Sequence, residues 1–262
     1  SFWAPSAPKY TFSEPTPLFY ENAPWADTTR YERLQTLASL AKYHLPYIEK
    51  PLIPPIVVTS ARAVMTKSVS RREWLKACQL IRVRERYTIT ELITNWLRIG
   101  YERVDTVLEP GQFSHRGGLL DLWVPGEKSP TRLDFFGDEL DGIRRFDPGT
   151  QRTIDKEECV LIIPAREFFI PAGDDEIKYC EFHIPLIHKY PSTILDFLPK
   201  NTIILVDDYR ALEATVAEVE EQAVKYRDEC LRDRLFEIDH PVPYLTWEEI
   251  VDGLQSRSTL EL

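Results

Sequence analysis

Nine of the ten glycines in this 262-residue chain fall between Gly100 and Gly173, leaving only Gly253 outside. Glycine takes positive φ and closes tight turns without steric cost, so the tight-turn chemistry is confined to one stretch. Within it, residues 101–153 carry the strand-length runs GLLDLWV, TRLDFF and LDGIRRF, broken by PGEKSP, GDE and DPGT. That pattern predicts a compact antiparallel meander. Alternation puts Leu120, Leu122 and Val124 on one face, with Leu133 and Phe135 projecting together from the next strand. Arg132 and Asp134 take the opposite face, with Phe136 in line. Pattern alone describes a sheet with one solvated face.

The flanks have a different texture. DTTRYERLQTLASLAKY predicts a helix from Asp27 that buries Tyr31, Leu34, Leu37, Ala38 and Ala41. Prolines 46, 51, 54 and 55 forbid helix and leave a short connector. Ile56–Thr59 reads as a buried strand feeding a helix near Ser60, the mark of an α/β layer. A short helix covers Ser70 to Gln79. Thr88 and Glu91 form a capping box for a helix to Ile99, with Leu92, Ile93, Trp96 and Leu97 inward and Gly100 at its C-terminus. Strands are expected in Glu158–Pro164 and in TIILV, then a long helix from Ala211 to about Asp233, a short helix at WEEI and a final strand at STLEL. Phe2 and Trp3 can end a strand, and PAGDDEIKYCEFHIP reads as a connection between domains. The order is α/β, then antiparallel α+β, then α/β. An inserted domain explains it: residues 1–78 and 171–262 form one split domain, and residues 79–170 the insertion.

Charge follows the same division. The net charge of −10 comprises +4 in residues 1–78, −3 in 79–170 and −11 in 171–262. So acidic a chain lacks the footprint of an autonomous DNA binder. Cys78, Cys159, Cys180 and Cys230 lie too far apart for a zinc or disulfide pattern, which points to isolated reduced thiols and a cytoplasmic location. No apolar run is long enough to span a membrane, and the first residues do not resemble a signal peptide.

Catalytic signatures are sparse. There is no Gly-Lys pair and hence no phosphate-cradling loop. Asp207 and Asp208 after a strand resemble a magnesium-binding pair, but without that loop they read as a cap for the following helix. Asp155 with Glu176-Ile177-Lys178 is the nearest approach to a nuclease cluster, and its E-x-K sits in a loop. His183 and His188 straddle Pro185 in poor geometry for a shared metal. No metal, cofactor or catalytic residue is expected.

The segments YERVDTVLEPGQFSHRGGLLDLWVP and TRLDFFGDELDGIRRFDPGTQRT resemble the N-terminal module of the bacterial transcription-repair coupling factors, itself homologous to the front of the excision-repair subunit UvrB. VVTSARAVM and ILDFLPKNTIILVDD match the same family in the same order. The resemblance implies a degenerate RecA-like domain, without its opening strands and split by an inserted domain that binds UvrA, the damage-recognition ATPase. It also implies that the full-length protein is an ATP-dependent DNA translocase engaging RNA polymerase and upstream duplex DNA, whereas this chain is a non-catalytic part. By motif, the UvrA contacts fall on Arg103 of YER, Arg116 of HRGG, and Arg132 and Asp134 of TRLDFF, with Ser114 replacing one further arginine. These four are expected to form one exposed charged patch that adds little to folding. The absent phosphate loop and the short proline-rich connector favour the coupling factor over UvrB. A catalytic ATPase or nuclease, or a UvrB-like damage-verification subunit, is the alternative.

Overall fold

A computed structural model of the chain describes residues 6–171 and 178–262. The chain divides into two compact units, one built from Ser1–Arg71 with Lys178–Leu262, the other from Arg72–Ile177. The boundaries lie a few residues outside those drawn from sequence, because the helix carrying the fully buried Trp74 counts with the second unit. Phe2, Trp3 and residues 172–177 of the acidic connector, Glu176 among them, lie outside the described residues.

The split unit begins with β1 (Lys9–Phe12), α1 (Asp27–Ala41), β2 (Ile56–Thr59) and α2 (Ala61–Met65). β1 and β2 pair in parallel, and Ser60 caps α2 by accepting from the Ala63 amide at 3.3 Å. Helix α1 buries Leu34, Leu37, Leu40 and Ala41. Tyr31 is exposed, contrary to the helical stripe, and Arg33 is buried. The Arg33 guanidinium lies 3.9 Å from the Phe12 ring and 4.5 Å from that of Trp25, and donates to the Ser13 carbonyl at 3.1 Å. Such satisfied cation–π contacts let a long basic side chain enter a core.

The second unit opens with α3 (Arg71–Ala77), β3 (Gln79–Arg82) and α4 (Ile89–Arg98). The meander follows as β4 (Glu102–Arg103), β5 (Gln112–Arg116), β6 (Leu119–Leu122), β7 (Thr131–Phe136), β8 (Glu139–Phe146) and β9 (Thr153–Glu157). These six strands form one sheet in chain order. β4–β5 is parallel and the rest antiparallel. β10 (Cys159–Ile162) pairs instead with β3, a strand the arginine-rich sequence hid. One sheet face is core: Phe113, Leu120, Leu122, Leu133 and Ile143 are buried, as alternation requires. Trp96 of α4 meets Phe113 edge-on at 5.6 Å. A fully buried aromatic of this size contributes about 2–3 kcal/mol by area. Leu97 faces solvent and Ile99 is buried in its place. The Thr88 hydroxyl makes no cap bond, so the expected capping box does not form. Gly100, at φ +93°, ends α4, and a Cβ there would lie 2.3 Å from the Arg166 side chain.

Two bulges shape the sheet. Gly142 pairs with Asp134 and Leu140 with Phe135, leaving Asp141 as the extra residue of β8. On β9, Ile154 is passed over between the pairs of Phe146 and Arg145. Bulges re-aim side chains and increase local twist.

The chain returns to the split unit with α5 (Ile184–Ile187), α6 (Ile194–Phe197), β11 (Ile203–Val206), α7 (Tyr209–Arg232), α8 (Trp247–Gln255) and β12 (Ser258–Glu261). β11 and β12 pair in parallel. Asp208 accepts from the Ala211 amide at 2.8 Å, so it caps α7. Ile56–Thr59 and TIILV are strands, but their apolar residues are not all buried: Val58, Ile203 and Leu205 are more than half exposed. Among the described residues, no helix is long and apolar enough to cross a membrane.

Candidate protein-interaction site

The register of β5 to β8 assembles the outer face of the sheet. Ser114 pairs with Asp121, Asp121 with Arg132, and Arg132 with Arg144. One step along, Arg116 pairs with Leu119, and Leu119 with Asp134. Cross-strand partners share a face, so Arg116, Arg132 and Asp134 come together as expected. Arg103 does not join them by register. It pairs with Phe113, a core residue, which puts it at the sheet edge on the other side.

The centre of this face is dry. Asp121 retains only 4% side-chain exposure, and Arg132 grips it in a bidentate fork with both bonds at 2.7 Å. The same guanidinium lies 4.6 Å from the Phe146 ring and donates to Gln151 at 2.9 Å. The Asp121 carboxylate holds the Arg132 guanidinium above the usual arginine range, against the desolvation that opposes charge. Arg116 approaches Asp121 from the rim at 3.7 Å and stays 59% exposed. Asp134 pairs with Arg144 at 2.7 Å. The expectation of four freely exposed charges is therefore corrected for Arg132, which is a structural cation as well as a surface one.

Sequence reasoning missed Asp121 and Arg144. Asp121 sits inside GLLDLWV, where alternation marks it only as outward. The signal was the carboxylate's placement in an otherwise apolar run opposite an arginine-bearing strand. Apolar surface completes the face: Leu119 is 37% and Phe136 87% exposed. The turn that presents Arg116 depends on glycine. Gly117 has φ +60°, and a Cβ on Gly118 would lie 2.6 Å from the Phe135 carbonyl oxygen.

Elsewhere, none of the four cysteines is joined in a disulfide, and no group of three metal-ligating side chains gathers among the described residues. Asp155 lies on β9, and its supposed partner Glu176 is outside the described residues.

Residues 80–168, which span this sheet, match the family described as the UvrB interaction domain. A transcription-repair-coupling factor of Haemophilus influenzae is 38% identical over 134 residues, 50% of this chain and 12% of that protein. One from Bacillus subtilis is 25% identical over 225 residues, covering 70% of this chain and 19% of its own length. A UvrABC system protein B of Gloeothece citriformis is 37% identical over 106 residues, 40% of this chain and 16% of that protein. The chain thus spans less than a fifth of these relatives. Residues 80–168 therefore match the UvrB interaction domain, and the chain carrying them is similar to the UvrB-homology region of transcription-repair-coupling factors.

Proposed function

We propose that this chain is a non-catalytic docking module that binds UvrA through the outer face of the β5–β8 sheet. In the full-length protein it brings UvrA to RNA polymerase stalled at a lesion, beside upstream duplex DNA. The observation that carries the reading is the Arg116–Asp121–Arg132 cluster on the matched domain, flanked by exposed Leu119 and Phe136. Arginine forks favour carboxylate recognition, and arginine with aromatic anchors is the composition of interface hot spots. Arg116, Arg132 and Asp134 form the centre of the contact, and Arg103 is a peripheral contact at the sheet edge. The split unit is read as a degenerate RecA-like domain that binds no nucleotide, since the chain has no Gly-Lys pair. The module requires no cofactor and works in the cytoplasm.

Immobilised chain retaining purified UvrA, with no ATP turnover of its own, is the expected result. Magnesium-dependent ATP or DNA hydrolysis by the chain, lost on changing Asp207 or Asp155, would replace this reading with the catalytic alternative.

A further inference from the structure

The face does not stop at β8. β9 covers β8 only from Ile143 to Phe146, which leaves the Glu139–Leu140 end of β8 open on that side. The segment Arg84–Tyr87 fills the gap. The Arg84 amide donates to the Leu140 carbonyl at 2.8 Å, the Leu140 amide to Glu85 at 3.0 Å, and the Tyr87 amide to Asp138 at 2.8 Å. Arg86 bridges Glu139 in antiparallel sense. Glu139 pairs with Phe136, so Arg86 shares the face of Phe136, Asp134 and Arg132.

Arg84, Glu85 and Arg86 are all exposed. Arg82 lies 3.9 Å from Glu85, whereas neither Arg84 nor Arg86 is ion-paired among the described residues. Arg84 is held at φ +69°, a conformation disfavoured for a side chain with a Cβ. The anchored loop therefore presents two unpaired guanidinium groups at the end of the same sheet.

We infer that Arg84 and Arg86 extend the docking face and contact acidic side chains of the same protein partner, an inference that rests on the UvrA reading above. Four strand spacings separate the row of Arg116 from that of Arg86, roughly 19 Å. An interface of ordinary size covers about 800 Å² per partner, a patch about 30 Å wide, so one partner reaches both ends. The carboxylates of Glu85, Asp138 and Glu139 interleave with the arginines. That mixture suits a protein surface of mixed charge and opposes a nucleic-acid backbone.

The test uses the whole chain and purified UvrA in association kinetics at two salt concentrations. Arg84→Gly with Arg86→Ala removes both charges, and glycine accepts the φ of position 84, so folding is preserved. Arg116→Ala tests the underlying reading. The expected result is about tenfold slower association at low salt for the double variant, with a shallower salt dependence, beside weakened binding by Arg116→Ala. Wild-type association by the double variant, with Arg116→Ala still impaired, would overturn this inference and leave the UvrA reading standing. Wild-type binding by both variants, or no UvrA binding by the chain, would overturn both. Loss of duplex-DNA binding by the double variant, with UvrA association unchanged, would assign the loop to nucleic acid and overturn the inference.

Discussion

Removing Arg132 should damage folding as well as binding. Asp121 is nearly inaccessible, and its two oxygens are held by one arginine at 2.7 Å. Arg132→Ala leaves that carboxylate buried with only Arg116, at 3.7 Å, as a neighbouring cation. Breaking a buried pair typically costs about 3–5 kcal/mol. Here Arg132 keeps 18% side-chain exposure and Arg116 gives partial cover, which reduces the figure to about 2–3 kcal/mol. Loss of the stack on Phe146 adds about 0.5–1 kcal/mol. A total near 3 kcal/mol lowers the melting transition of a unit of this size by at least about 10 °C. The assay is a urea and thermal melt of wild type, Arg132→Ala and the double variant Arg132→Leu/Asp121→Leu. The double variant should recover most of the loss, because replacing both members of a buried pair by apolar residues is often neutral. An Arg132→Ala melt within 1 °C of wild type would refute the buried-pair argument.

Three further outcomes follow from the same structure. Gly118→Ala should cost about 1–3 kcal/mol in a denaturant melt, because the added Cβ lies 2.6 Å from a backbone oxygen; an unchanged midpoint would contradict that. Burial pushes the Cys78 thiol up to about 12 from its ordinary 9.0. Its raised folded value means that its contribution to stability is complete below about pH 9 and is lost as pH climbs toward 12. Cys78→Ser should flatten the decline in stability across that window, and native Cys78 should resist alkylation while exposed Cys159 reacts. Arg33→Leu should leave the Ser13 carbonyl without its donor and destabilise the split unit by about 1–3 kcal/mol in the same melt.

The meander was legible because its alternation is local. Leu120 and Leu122 have to share a face once their strand forms, and the β6–β7 register adds Leu133 to it. The role of Asp121 was not legible in the same way, since its burial depends on Ser114, Arg116 and Arg132 arriving from two other strands. Whether a charge is solvated depends on register, which alternation within one strand does not fix. Arg103 shows the same limit, because a two-residue edge strand carries no pattern from which to assign a face. The RVRER loop was opaque because hydrogen bonds to β8, rather than its own propensity, hold it in place. In the split unit, Ile56–Thr59 and TIILV were found as strands by their apolar runs, yet an apolar run says nothing of which face is covered. Arg33 entered the α1 core against composition, through aromatic partners distant in sequence.

The central claim, that the outer face of the β5–β8 sheet binds UvrA, is tested most directly by titrating UvrA into the chain and its Arg116→Ala variant. Arg116 suits this purpose because it is 59% exposed and therefore contributes little to folding, about 0–1 kcal/mol. The account predicts saturable binding by the wild type and a loss of about 2–5 kcal/mol in the variant, with an unchanged melt. Arg103→Ala, at the sheet edge, should lose less. Wild-type affinity in Arg116→Ala, with the chain folded, would place the UvrA contact elsewhere and contradict the account.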